Sequence, residues 1–421
     1  MDVTIAGLVF VATYAAIASD RVNKTLAALL GGLLMVLLRV IDQEEAFDAI
    51  DFNVIFLLAG MMILAGILRR TGFFQWLAIR SVKVAGGDPF RLLIVLSLIT
   101  AVLSAFLDNV TTVVLLAPVT LSIAAILGVT PIPFLVSEII ASNIGGTATL
   151  IGDPPNILIG SAAGLDFAAF LVNLTPVVIL ILVAFIVTLR VRYRADLSVS
   201  DDLREAAMSL DEGEVISDPV LLRRSLLIIG ATLVGFVLHG PLGYEPATVA
   251  LLGATALMLV TRMDPEGILR EVEWPTLFFF VGLFMLVEGI VHVGIIDALA
   301  EGLFELTAGD LTVTTLGLLW LSGIASAIVD NIPYTATMIP VIQGLGSAGL
   351  NAEPLWWALA LGACLGGNAT IIGASANVVV ANLAGRAGHP ITFRGFLPFG
   401  VLVTLESLVI STGYVWLRYL A

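Results

Sequence analysis

The sequence predicts an all-α polytopic membrane protein folded as an inverted repeat, each half holding five transmembrane helices and one re-entrant hairpin. Three observations lead there: the hydropathy of the whole chain, a motif series that occurs twice, and polar or glycine-rich breaks at matching places in both copies. Of 421 residues, 59% are hydrophobic and 12% charged, whereas soluble domains carry about 25% charged residues. Mean hydropathy is +1.07. Apolar runs of roughly 20 residues, long enough to cross a bilayer, recur from end to end.

Composition also excludes several classes. The net charge is −14, and basic residues are confined to loop ends, so no phosphate-binding stripe exists and nucleic acid is not an expected partner. The single cysteine, Cys364, rules out an internal disulfide and a cysteine-rich metal site. No Ser-His-Asp arrangement, P-loop or metal-ligand spacing occurs. The chain therefore reads as neither an enzyme nor an ATP motor, and needs no cofactor beyond a coupling ion. The opening MDVTIAGLVF lacks the basic region of a signal peptide and reads as the start of the first span.

Spans are expected near 2–20, 22–41, 52–69, 132–164 (broken), 172–191, 224–240, 246–261, 275–292, 354–385 (broken) and 396–417. The stretches 90–127 and 312–350 are each interrupted midway by Asp-Asn and read as hairpins that enter and leave on one side. Irregular backbone at membrane depth is tolerated only inside protein or beside a watery cavity, so both tips should lie at one interior site. Alternating the spans from an outside start puts all 19 basic residues inside except Arg39 and Arg418. Treating either hairpin as two spans scrambles that division. The polar segment 192–222 is then a cytoplasmic linker, and 73–85 and 295–306 read as interfacial helices.

The linker separates the two repeats, 1–191 and 223–421. FNVIFLLAGMMILAGIL (52–68) parallels WPTLFFFVGLFMLVEGI (274–290), with Gly60 on Gly282. LSAFLDNVTTVVLLAPV (103–119) parallels ASAIVDNIPYTATMIPV (325–341), with Asp108 on Asp330. NIGGTATLIGDPPN (143–156) parallels CLGGNATIIGASAN (364–377). An odd number of spans per copy inverts the second copy. In inverted-repeat transporters, broken helices of both halves meet near the midplane and bind the solute there.

The chemistry follows from those breaks. Gly145-Gly146 and Pro154-Pro155 prevent a regular helix and free carbonyl and amide groups inside the membrane. Asn143, Thr147, Thr149, Gly152 and Asn156 add neutral oxygens in the first half. Gly366, Gly367, Asn368, Thr370, Gly373, Ser375 and Asn377 do so in the second. All-oxygen surroundings suit a hard cation. Asp108, Asp153 and Asp330 are costly in a bilayer unless paired, hydrated or cation-bound. They read as ion- or proton-binding groups, with helix capping as the structural alternative. Asn109, Asn331, Thr111, Thr112 and Thr335 stand close enough in sequence to join them. Sodium is expected at Asp108, Asn109, Gly152, Asp153, Asp330 and Asn331. Glu138 is a possible proton relay, with packing against a polar neighbour equally open. Glu288 and Glu406 are weaker candidates of the same kind. His292 reads as interfacial, and Cys364 as a small residue in close helix packing rather than an arsenite ligand.

LDNVTTVVLLAPVTL followed by NIGGTATLIGDPPN resembles the ion transporter superfamily, in the branch of ArsB-like permeases and the melanosomal P protein, related to NhaD-type sodium/proton antiporters and divalent anion/sodium symporters. The resemblance implies an elevator-type homodimer in the cell membrane. Residues 1–85 and 223–308 would form the scaffold, and 86–191 with 309–421 the mobile transport domain. Related dicarboxylate symporters carry Ser-Asn-Thr at the hairpin tips; here the tips read Asp108-Asn109-Val110 and Asp330-Asn331-Ile332. The added negative charge favours cations, protons or neutral solutes over dicarboxylates. The expected function is thus secondary active transport of a small ion or small polar solute, foremost sodium/proton antiport. The alternatives are an arsenite or other oxyanion permease, and an ion channel of similar fold.

Overall fold

In the computed structural model, residues 2–19, 21–195, 197 and 199–421 are described; Asp20, which ends the first expected span, and two linker positions lie outside them. The first half runs α1 (Asp2–Ser19), α2 (Lys24–Leu37), α3 (Gln43–Asp48), α4 (Phe52–Arg69), α5 (Phe73–Ala85), α6 (Pro89–Phe106), α7 (Asn109–Ile126), α8 (Ile132–Gly146), α9 (Pro154–Ala163) and α10 (Phe167–Tyr193). A linker helix, α11 (Asp201–Met208), follows. The second half runs α12 (Pro219–Leu242), α13 (Pro246–Thr261), α14 (Pro265–Leu269), α15 (Trp274–His292), α16 (Ile295–Leu306), α17 (Leu311–Ile328), α18 (Asn331–Ser347), α19 (Ala352–Gly366), α20 (Ser375–Arg386) and α21 (Phe393–Val415). Elements α1–α10 and α12–α21 correspond one to one, as an internal repeat requires.

The ends of these helices are written in the sequence. Asp88, Asp166 and Asp310 sit at N-caps and accept from backbone amides of the first turn. Pro89 follows one of them at the first helical position, where no amide is needed.

The two halves interlock. Helix α4 packs on α13, and α15 packs on α2. Both crossings depend on a glycine. A Cβ on Gly60 would lie 2.8 Å from the Ala250 backbone, and one on Gly282 would lie 2.4 Å from that of Ala28. Small residues let membrane helices approach closely where no hydrophobic force drives them together. The Gly60–Gly282 correspondence read from sequence therefore marks the same contact made twice.

Around this pair lies a second assembly. Helix α8 packs on α6 and α7, and α19 on α17 and α18. Across the halves, α7 meets α20, α9 meets α18, and α10 meets α21. With 15 residues, α8 is about 22 Å long at its regular rise, short of the roughly 30 Å hydrocarbon core. Asn143, in its last turn, bonds to Asn109 at the start of α7, so the first tip stops at the depth where α8 breaks. Helix α9 completes the crossing: Ser161 near its end meets Asn53 at the start of α4, while α6 begins beyond the opposite end of α4. By length alone the hairpin arms α6, α7 and α17 qualify as spans. The position of the tip makes the first pair a re-entrant hairpin, as expected.

The linker is docked rather than free. Arg204 Nε donates to Gly86 O at 2.6 Å, Arg80 pairs with Glu212 at 2.9 Å, and Ser217 N donates to Thr71 O at 3.1 Å. These contacts hold it against α5 and the base of the first hairpin.

Candidate functional site

Both hairpin tips and both helix breaks converge on one buried cluster. Asn109 Nδ2 donates to Asn143 Oδ1 at 3.1 Å. Asn143 Nδ2 donates across the halves to Asn368 Oδ1 at 2.9 Å and Asn377 Oδ1 at 3.0 Å. Asn377 Nδ2 closes its own break through Gly367 O and Thr370 O, both at 2.8 Å. Asn156 does the same in the first half, donating to Thr147 O at 3.1 Å and Thr149 O at 2.8 Å. Four asparagines thus tie the first tip to both breaks, and each buried bond stiffens its neighbours.

The three aspartates differ in what they hold. Asp108 caps α7, accepting from Thr111 N at 2.9 Å and Thr111 Oγ1 at 3.1 Å. Asp330 caps α18, accepting from Ile332 N at 3.1 Å. Its other oxygen accepts from Ser375 Oγ at 2.7 Å and lies 3.4 Å from Lys24 Nζ. Asp153 is fully buried and stands at the N-cap of α9 without capping it. Its Oδ1 accepts from Asn331 Nδ2 at 3.3 Å. Its Oδ2 is buried with no hydrogen-bond partner. Among the described residues, the Lys24–Asp330 pair is the only ion pair these three carboxylates make. Two negative charges are left uncompensated by protein, which a low-dielectric site tolerates only with a proton or cation.

The remaining expected residues fall into place around this cluster. Thr147 and Thr335 donate to carbonyls one turn back in their own helices, Asn143 O and Asn331 O. Thr149 and Thr370 donate to Ala105 O and Ala327 O, just before each tip. Their hydroxyl hydrogens position the hairpins, while the oxygens keep acceptor capacity. Thr112 is buried with no partner for its hydroxyl, as is the Asn368 amide nitrogen. Gly145 and Gly366 let the breaks lie directly on the hairpin backbones of Ala101 and Gly323. Gly146 faces Gly152, and Gly367 faces Gly373, across each broken turn.

Other candidates separate from the cluster. Glu138 is buried and accepts from Thr120 Oγ1 at 2.6 Å, leaving Oε2 unpartnered between α8 and α7. Glu406 accepts from Thr188 on both oxygens, at 2.8 and 2.9 Å, and so joins α10 to α21. Glu288 lines a cavity of about 250 Å³ with Asp51 and Gln343. His292 is exposed, 3.5 Å from Glu45.

Two residues do more at the site than their sequence context implies. Cys364 packs closely, as expected, but also stands within the site, its Sγ 3.5 Å from Asn156 Oδ1. It occupies the position that Asn143 fills in the other repeat. Lys24 read as an ordinary loop-end charge. A lysine at the head of a span in a chain this poor in lysine was the available signal.

Comparison with known proteins places this geometry in a family. The family model described as citrate transporter matches residues 14–362, and the chain belongs to that family. An uncharacterized transporter of Mycobacterium tuberculosis is 47% identical over 423 residues, spanning 99% of this chain and 98% of the relative. The human P protein is 35% identical over 502 residues, spanning 98% of this chain and 59% of its own length. Among solved structures, the YdaH transporter of Alcanivorax borkumensis shares the fold, with a TM-score of 0.62 at 16% identity over 92% of this chain and 88% of that one. The chain is a multi-span membrane transporter and not an enzyme, and the resemblance to the P-protein branch holds.

Proposed function

We propose that this transporter is a secondary active carrier that exchanges sodium for protons at the cluster of Asp108, Asp153 and Asp330. The observation that carries this reading is the charge balance: three carboxylates, one fixed lysine and a fully buried Asp153 that accepts one hydrogen bond. Such a site needs a mobile positive charge, and either a proton or a small hard cation supplies it. The scaffold is 1–85 with 223–308, and the moving domain 86–191 with 309–421. In support, the α4–α13 and α15–α2 crossings join the halves through small residues, whereas the hairpins pack chiefly on their own broken helices. Asp330 lies beside the start of α2, and a cavity of about 40 Å³ joins Thr111 of α7 to Glu271 and Glu273 before α15. Positive-inside orientation makes those the cytoplasmic ends and 192–222 a cytoplasmic linker, so the tips stand inward-facing. A homodimer, held in lipid through its scaffold, completes the elevator.

The test is flux in proteoliposomes carrying a pH-sensitive dye and an imposed proton gradient. Sodium or lithium should dissipate the gradient, saturably and with Asp153→Asn abolishing it. Accumulation of citrate, succinate or arsenite without any sodium effect would overturn the antiport reading. An anion or oxyanion permease is the second reading. The family description, citrate transporter, favours it, as does the unpartnered Asn368 amide, a donor an oxyanion accepts. For neutral arsenite, the Cys364 thiol is the group of interest. Flux that fails to saturate would point instead to a channel.

A further inference from the structure

The second tip meets a cation fixed on the other repeat. Lys24 stands at the start of α2, on the element that packs against α15, while Asp330 belongs to the hairpin of the other repeat. Lys24 Nζ lies 2.5 Å from Ser375 Oγ, which in turn donates to Asp330 Oδ2 at 2.7 Å. The ammonium also sits 5.3 Å over the ring of Phe279 on α15, a face that attracts cations. Around the group opens a cavity of about 170 Å³, lined by Lys24, Asp330, Ser375 and apolar side chains. The Asp330 side chain is 13% exposed and that of Lys24 37%, so the pair is neither a surface ion pair nor a sealed one. The repeat puts Pro246 where Lys24 would recur, and Asp108 has no equivalent partner.

We infer that Lys24 is a tethered substitute for the transported cation, which occupies Asp330 while the tip faces the start of α2. Asp330 then becomes free to bind a mobile cation only when the tip moves away from α2. This rests on the proposed function in one respect, that Asp330 meets a cation during the cycle. It adds a specific consequence: on the inward side only Asp108 and Asp153 compete for the ion. Lys24 thus prevents an empty tip with an uncompensated negative charge from forming there.

Thermal unfolding of the purified full chain tests this without any flux measurement, in sodium, lithium or potassium chloride against choline chloride at equal ionic strength. In choline, Lys24→Gln should lower the Tm by about 2–4 °C. An alkali cation, taking the vacated place, should restore it. Asp330→Asn in the same background should remove that restoration, and the two substitutions should be non-additive. Lys24→Arg keeps the charge and should stay as indifferent to salt as the unsubstituted chain. Should Lys24→Gln alone not fold, the double variant should still fold, because it leaves no unpaired charge. Additive losses with no alkali-specific restoration would overturn the inference, even if sodium flux is found. Restoration in a chain that carries no sodium would support it while sinking the antiport reading.

Discussion

The two repeats put the same carboxylate at the same place and then treat it differently. Asp108 in the first half caps its helix and meets no cation, while Asp330 in the second caps its helix and holds Lys24. The breaks behind them differ in the opposite sense. The first presents Asp153, fully buried and accepting one long hydrogen bond from Asn331; the second presents Ala374 and Ser375. One half therefore supplies uncompensated negative charge, and the other supplies negative charge already balanced. A symmetric pair of aspartates would make both halves equally attractive to a cation. On the proposed ion-exchange reading, this division concentrates the demand for an ion on Asp108 and Asp153.

The largest expected effect comes from removing that demand. Asp153→Asn should keep the bond to Asn331 but lose the charge. Coupled flux in proteoliposomes should fall by at least about 100-fold, the equivalent of roughly 2.7 kcal/mol of lost ion binding. Flux within tenfold of the unsubstituted chain would break the comparison, because Asp153 would then be an ordinary buried acid. The tips come next. Asp108→Asn removes a charge with no cationic partner among the described residues and should cost cation affinity about tenfold or more, read as a rise in the half-saturating sodium concentration. Asp330→Asn should cost less affinity but more stability, since it leaves Lys24 unpaired. Equal losses of affinity at both tips would show that Lys24 does not distinguish them.

A smaller, purely structural difference tests whether the two breaks are equally tight. A Cβ on Gly145 would lie 2.0 Å from Ala101 O, and one on Gly366 would lie 2.4 Å from Gly323 O. Both contacts are with backbone, which cannot rotate aside. Gly145→Ala and Gly366→Ala should each lose about 1–3 kcal/mol of stability through overpacking, the first more than the second. Thermal unfolding in detergent reads the order, and Gly366→Ala as the worse variant would reverse it.

Much of this was legible in the chain because membrane physics leaves few ways to write it. Asp-Asn in the middle of an apolar stretch is tolerated only at an interior site, so the sequence pattern alone places both tips there. Glycine pairs and Pro154-Pro155 announced the breaks, and Gly60 with Gly282 announced the repeat. Lys24 was not legible for a geometric reason. It meets Asp330 across 306 positions of sequence, because α2 of one repeat packs beside α15 of the other, and a loop-end lysine is ordinarily just an orientation signal. Pairing across inverted copies has no local signature. The threonines were legible as polar groups at the site, but not as donors to Ala105 and Ala327. That role depends on how closely each hairpin lies on its break.

The smallest expected effect concerns Asn143 and Cys364, which the repeats place at equivalent positions. Asn143 makes three side-chain bonds and joins the first tip to Asn368 and Asn377 of the second break. Cys364 makes one weak contact to Asn156. Truncating Asn143 strands buried partners at a cost of about 1–3 kcal/mol each, whereas Cys364→Ser keeps a donor of similar size in place. Cys364→Ser should shift stability by less than about 1 kcal/mol and leave sodium-dependent flux within twofold. A soft sulfur ligand is what a trivalent arsenic centre prefers, and a serine hydroxyl cannot replace it. Arsenite uptake that disappears in Cys364→Ser, with sodium flux absent throughout, would therefore reassign the site. The asymmetry between Asn143 and Cys364 would then mark the substrate rather than the packing.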